Sequence, residues 1–162
     1  MRILEKLAQE VGTTLQSRRL VLATAESCTG GGLSYWITSV PGCSKWFDRG
    51  FITYSNVAKH NMLDVNSELI ESAGAVSEKV VRLMAENACT KSHANIGVAI
   101  TGVAGPEGGT EDNPIGSVWI AWAKENNATE ASHFLFKGDR AKIRDQAIIE
   151  ALNGLLRVLS TS

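Results

Sequence analysis

A serine hydroxyl stands at position 27, inside Glu26-Ser27-Cys28-Thr29-Gly30-Gly31-Gly32. The string follows the apolar run Leu20-Val21-Leu22-Ala23-Thr24-Ala25, which lacks polar alternation and so predicts a strand covered on both faces. After the glycines, Leu33, Trp36, Ile37 and Val40 recur at helical spacing. Ser27 is therefore expected at a strand-to-helix turn, and two roles fit it. One is a nucleophile. The first helical turn presents free N–H groups and the positive end of the dipole. Those donors suit a developing oxyanion, and the glycines let a ligand approach the backbone. The other role is an ordinary helix cap, which Thr29 fits equally well. Cys28 is a rival nucleophile, since a thiol at a helix start has a lowered pKa. With no histidine in a readable partnership, small apolar filler is its commoner fate.

A second cluster, Thr53-Tyr54-Ser55-Asn56-Val57-Ala58-Lys59, lies at the next predicted strand-to-helix junction. Ligands of open α/β sheets gather beyond the carboxyl ends of parallel strands, so the two junctions can face each other. Lys59 can serve Ser27 as a general base only when neutral. An unperturbed lysine is roughly 0.04% neutral at pH 7, so burial or nearby positive charge must bring its pKa to about 7–8. Otherwise it is a solvated helix lysine.

The third cluster is Thr101-Gly102-Val103-Ala104-Gly105-Pro106-Glu107-Gly108-Gly109, after a buried run. Its N–H groups could form an anion-binding nest. Gly138-Asp139-Arg140 opens the last predicted helix and offers either a guanidinium for forked phosphate contacts or a plain cap with a surface arginine. Phosphate loops of the GxxxxGK[ST] type, HExxH, GxSxG and SxxK are all missing. His60, His93 and His133 sit in polar surroundings and are expected to be exposed, and no metal site is expected from them.

The elements that must position these clusters follow from periodicity. Leu4, Leu7, Val11 and Leu15 predict an amphipathic helix over 3–18. Further strands are expected at 46–54, 95–101, 115–123 and 130–136, the last two as an antiparallel pair around Glu125-Asn126-Asn127. Helices are expected at 57–63 with Asn56 as cap, at 67–73 ending on Gly74, at 78–92 capped by Ser77, and after Asp139 with Ile143, Ala147, Ile148, Ala151, Leu152 and Leu155 inward. Helices alternating with buried strands predict a three-layer α/β/α sandwich around a mixed, mostly parallel sheet. All 162 residues fit one domain of roughly 100–200 residues.

Composition removes several classes of function. Sixteen basic against seventeen acidic side chains give a formal charge of −1, so nothing draws the chain to nucleic acid or to anionic membranes. No apolar run reaches the ~18 residues of a membrane span. Cys28, Cys43 and Cys89 are too few and scattered for a disulfide framework, which suits a reducing cytoplasm.

Taken in order, the strings resemble the CinA C-terminal domain family. They are Ala25-Glu26-Ser27-Cys28-Thr29-Gly30-Gly31, Phe51-Ile52-Thr53-Tyr54-Ser55-Asn56 with Ala58-Lys59, Gly74-Ala75-Val76-Ser77, Thr101-Gly102 through Ala104-Gly105-Pro106, Pro114 with Gly116, and Gly138-Asp139-Arg140 with Ile143-Arg144. The sequence departs from the usual pattern at Leu63-Asp64-Val65, at Val57 and in Thr110-Glu111-Asp112-Asn113. The resemblance implies a three-layer α/β/α sandwich that hydrolyses the carboxamide of nicotinamide mononucleotide to nicotinate mononucleotide and ammonia. It implies no metal and no cofactor, a small nucleotide as partner, and a homo-oligomer. Ser27 would be the nucleophile, Lys59 its base and Tyr54 an assistant near the pair. The backbone after Ser27 would receive the developing oxyanion, and Thr29, Gly30 and Gly31 would contact the substrate. Thr101, Gly102 and Gly105 would line the pocket, and Arg140 would hold a charged part of the substrate. The competing expectation is a nucleotide-binding or regulatory paralogue without turnover.

Overall fold

The computed structural model describes residues 2–161. The elements run α1 (Arg2–Ser17), β1 (Leu22–Glu26), α2 (Gly32–Thr38), a 3-10 turn (Cys43–Lys45), β2 (Phe47–Ile52), α3 (Asn56–Leu63), α4 (Ser67–Ala73), α5 (Glu78–Thr90), β3 (Ile96–Gly102), β4 (Ser117–Lys124), β5 (Glu130–Leu135) and α6 (Arg140–Ser160). The five strands form one sheet in the order β2-β1-β3-β4-β5. β1 pairs in parallel with β2 and β3, and β4 is antiparallel to both β3 and β5. Four strands thus share a direction and only β4 opposes it. The expected mixed, mostly parallel sheet and its late hairpin are what the chain forms.

The two sheet faces are sorted by side-chain size. Ile96, Val98 and Ile100 of β3 and Val118, Ile120 and Trp122 of β4 point into a cluster with Leu4, Val11 and Leu15 of α1, Leu33 and Ile37 of α2, and the buried stripe of α6. Ala23, Ala25, Ala99, Ala121 and Ala123 face the other way, against Val80, Val81, Met84 and Ala85 of α5. The small face admits close approach. A Cβ on Gly97 would sit 2.5 Å from the carbonyl oxygen of Ala85. Bulk on one face and alanine on the other explains why the strands read as unbroken apolar runs rather than alternations. On the bulky face Gly12 and Gly154 leave room for the indoles of Trp46 and Trp122, and an added Cβ would overlap each ring.

Boundaries differ from expectation by at most two residues. β1 extends to Glu26, so Ser27 is the first residue past the strand. β2 ends at Ile52, which frees Thr53 and Tyr54 for the turn. The cap of α3 is Ser55 rather than Asn56. The Ser55 hydroxyl accepts from the N–H of Ala58, and Asn56 is already helical. Ser77 and Asp139 cap α5 and α6 as expected. His60, His93 and His133 are exposed. No helix among the described residues is long and apolar enough to cross a membrane.

Candidate active site

The carboxyl ends of β1, β2 and β3 deliver the first residues of the site side by side. The main-chain pattern continues one step past the strands: the Ser27 N–H donates to the Ile100 carbonyl (3.0 Å) and the Thr53 N–H to the Glu26 carbonyl (2.8 Å). Ser27 and Thr53 are thereby fixed in register with Thr101 of β3. Ser55 starts α3 sharply, and one turn later Lys59 points back under the sheet end.

Lys59 is 1% exposed. Its Nζ lies 3.0 Å from Ser27 Oγ, 3.0 Å from the Thr53 carbonyl oxygen and 3.1 Å from that of Tyr54. None of the ion pairs among the described residues includes it. Burial without a counter-charge destabilises the ammonium and pushes its pKa down to about 8. As placed, Nζ can donate to all three oxygens; once deprotonated, it can keep two N–H bonds to the carbonyls and leave its lone pair for Ser27 Oγ. Ser27 itself is 7% exposed, enough to border the cavity above it.

Ser27 does not cap α2, and neither does Thr29. That position is filled by Glu26, whose role is not apparent from its residue type. Its buried carboxylate accepts from the N–H groups of Leu33 and Ser34 (both 2.9 Å) and from the hydroxyls of Thr29 (2.6 Å) and Ser34 (2.7 Å). The expected free N–H groups in the first turn of α2 are therefore taken, because an anion one residue before the turn is drawn to the helix start. The N–H groups of Thr29 and Gly31 have no partner among the described residues. The signal for Glu26 was in the sequence: a carboxylate seven residues before a helical position that lacks a Ser, Asp or Asn cap.

The remaining predicted residues divide by distance from the Ser27–Lys59 pair. A cavity of about 170 Å³ is lined by Ser27, Cys28, Tyr54, Lys59, Thr101 and Gly102, together with Ala75, Val76, Asn56 and Ala104. The Thr101 hydroxyl is buried and donates to the Ala75 carbonyl (2.9 Å), which ties β3 to the 74–77 segment. Thr29 turns its hydroxyl to Glu26, away from the cavity. Tyr54 contributes its carbonyl oxygen to Lys59, while its ring is 59% exposed and its phenol accepts from Arg140 Nη2 (3.3 Å). Arg140 Nη1 also donates to the Gly105 carbonyl (2.8 Å), so α6 clamps the glycine loop onto Tyr54. Arg144, one turn further along α6, donates Nη2 to the Thr29 carbonyl (3.2 Å). Burial pushes the Cys28 thiol up to about 11, so it is protonated at neutral pH and acts as packing. A wider hollow of about 390 Å³ at the opposite end of the sheet, lined by Glu86, Cys89, Asn95 and Lys124, holds no comparable hydroxyl–amine pair.

A buried, depressed amine within hydrogen-bond reach of a cavity-lining hydroxyl is an arrangement for acyl transfer. Known proteins resemble this chain over nearly its whole length. A family described as the CinA C-terminal domain matches residues 4–159. The protein named nicotinamide-nucleotide amidohydrolase PncC from Escherichia coli (strain K12) is 45% identical over 94% of this chain and 92% of its own length. The chain spans 38% of a Symbiobacterium thermophilum relative that is likewise 45% identical. Among solved structures, competence/damage inducible protein CihA from Agrobacterium tumefaciens superposes with a TM-score of 0.94 at 38% identity, covering 98% of this chain and 96% of that one.

Proposed function

Because this chain belongs to the CinA C-terminal domain family, and relatives of nearly equal length carry the name nicotinamide-nucleotide amidohydrolase, we propose that it hydrolyses the carboxamide of nicotinamide mononucleotide. The observation that carries the reading is the 3.0 Å contact between Lys59 Nζ and Ser27 Oγ in a buried setting.

In the proposed mechanism neutral Lys59 takes the proton from Ser27 Oγ as the oxygen attacks the carboxamide carbon. The carbonyl oxygen gains the charge and meets main-chain N–H groups after Ser27, of which those of Thr29 and Gly31 are unengaged. Protonated Lys59 then gives its proton to the departing nitrogen, and ammonia leaves. The nicotinoyl group stays as an ester on Ser27. Lys59, neutral again, deprotonates a water that attacks the ester, and nicotinate mononucleotide departs as Ser27 regains its proton. The Thr53 and Tyr54 carbonyls hold the amine in place throughout and stabilise it while it is charged.

Ser27→Ala is expected to lower ammonia release from nicotinamide mononucleotide by at least about 10³-fold. Circular dichroism should show the fold unchanged, since the hydroxyl is not a helix cap. Retention of substantial turnover in that variant removes Ser27 as nucleophile. A wild type whose melting temperature rises with the nucleotide while no ammonia forms would instead mark a binding protein.

A further inference from the structure

Ala75 and Val76 line the cavity over Ser27, yet they belong to no strand or helix. They lie between α4 and α5, and among the described residues no main-chain N–H donates to the carbonyls of Gly74, Ala75 or Val76. Three side chains do so instead. The Ser77 hydroxyl donates to Gly74 (2.7 Å), the Thr101 hydroxyl to Ala75 (2.9 Å) and the Asn113 Nδ2 to Val76 (3.2 Å). Ser77 is local, and Thr101 lines the cavity itself. Asn113 lies outside the cavity lining, in the 110–113 segment where the sequence departs from the family pattern. That turn is closed on itself. The Thr110 N–H donates to the Asn113 carbonyl (2.9 Å), and the Asn113 N–H donates to Thr110 Oγ1 (3.0 Å).

An asparagine amide can face either way, and its neighbours decide which. Asn113 Oδ1 accepts from the Ser117 hydroxyl (3.3 Å), and Ser117 Oγ lies 2.7 Å from His133 Nε2. Ser117 is buried at the start of β4 and pairs with Leu135 of β5, which puts His133 diagonally across the two strands on the same face. The imidazole also lies against the Trp119 ring, 5.0 Å between centroids. Ser117 has a single hydroxyl proton, so both of its contacts are hydrogen bonds only when His133 Nε2 carries a hydrogen and donates it to Ser117. The chain then runs one way, from Nε2–H through the hydroxyl to Oδ1, and leaves Nδ2 for the Val76 carbonyl. If Nε2 took the Ser117 proton instead, Oδ1 would face lone pairs. Turning the amide over would then set an oxygen against the Val76 carbonyl and lose that bond.

We propose that Asn113 is a positioning residue of the Ser27 site, with Ser117 and His133 setting its orientation, and that it fixes Val76 as a wall against which the substrate packs. This rests on the amidase reading above. Ser27 and Lys59 are held by their own bonds at the ends of β1 and β2 and on α3, none of which involves Asn113. Asn113 therefore governs the binding of substrate rather than the proton transfers, and its loss is expected in KM.

The test separates KM from kcat for nicotinamide mononucleotide. Asn113→Asp keeps the shape of the side chain and loses the Nδ2 donor. It should raise KM about 3- to 10-fold, the worth of one hydrogen bond, with kcat changed by less than about twofold. Asn113→Ala should do the same. At His133, which is exposed, glutamine can donate to Ser117 and glutamate can only accept. His133→Gln should therefore keep the wild-type KM, and His133→Glu should raise it as Asn113→Asp does. An unchanged KM in Asn113→Asp overturns the proposal, as does a fall in kcat at constant KM, which marks a smaller folded fraction. Equal KM values in the two His133 variants overturn the part given to His133. A wild type that releases no ammonia sinks the amidase reading instead. Relaxation of ¹⁵N then decides the hold on Val76 alone. The Val76 and Ser77 amides should show order parameters of about 0.85 in the wild type and lower ones in Asn113→Asp, and equal values refute the hold.

Discussion

In the proposed mechanism Lys59 serves chemistry at the expense of stability. A buried ammonium with no carboxylate beside it is strained electrostatically, and its pKa of about 8 measures that strain. Lys59→Met keeps much of the side-chain volume and removes the charge. It should abolish ammonia release and raise the melting temperature by roughly 2–8 °C. A variant that loses activity but melts lower would contradict the account of the site as a destabilised base. In the active wild type, kcat/KM should climb with pH and level off above about 8 as Lys59 gives up its proton. A profile flat between pH 6 and 9 would assign the base elsewhere. Lys59→Arg should not rescue turnover, because a guanidinium stays charged throughout this range.

The element that matters most to the proposed nucleophile is α2, whose start is tied to β1 chiefly by one carboxylate. Glu26 ends the strand, and its side chain reaches across the glycine turn to hold the Leu33 and Ser34 N–H groups. Thr24 of β1 adds a second tie through the Ser34 hydroxyl, 2.7 Å away. Ser27 is carried on the loop between these fastenings, which limits how far its Oγ can move from Lys59. Glu26→Ala leaves the Leu33 and Ser34 N–H groups and the Thr29 hydroxyl without their acceptor, and should cost about 2–4 kcal/mol in urea unfolding. A loss under about 0.5 kcal/mol, the level of an ordinary surface substitution, would show that the turn holds itself without the carboxylate.

Among the described residues two buried groups, Lys59 and Cys28, and the half-buried thiol of Cys89 titrate abnormally at alkaline pH, with opposite effects on folding. Between pH 8 and 10.5 the unfolded chain holds a proton on Lys59 that the folded chain has released, so stability rises with pH. Cys28 and Cys89 are both raised from 9.0 to about 11, chiefly by burial. Between those values the folded chain keeps protons that the unfolded chain loses, and stability falls. Lysine therefore acts alone among the three from pH 8 to 9, and the thiols oppose it above 9. Urea midpoints should increase from pH 8 to 9 and turn downward beyond. Lys59→Met should lose the rise, and Cys28→Ala with Cys89→Ala should lessen the fall. The same initial rise in Lys59→Met would dissociate it from the lysine.

The sequence by itself determined the element types and the layers, because unbroken apolar runs, 3.6-residue periodicity, and Ser77, Asp139 and Gly74 act locally. It also determined which residues lie at strand ends, and hence that Ser27, Lys59 and Thr101 share one end of the sheet. Only the tertiary structure decided the rest. Whether Lys59 is a solvated helix lysine or a buried amine depends on β1 and β2 being neighbours, a pairing between residues 25 or 26 positions apart that no local pattern specifies. The same holds for the α2 cap. Ser27 and Thr29 read as caps by type, and the three-dimensional turn gave the position to Glu26, since a charge placed against helix N–H groups outcompetes a neutral hydroxyl. Arg144 could not be read at all from its surroundings in the chain. Its partner, the Thr29 carbonyl, lies 115 residues away and is a main-chain atom whose availability no side-chain identity records.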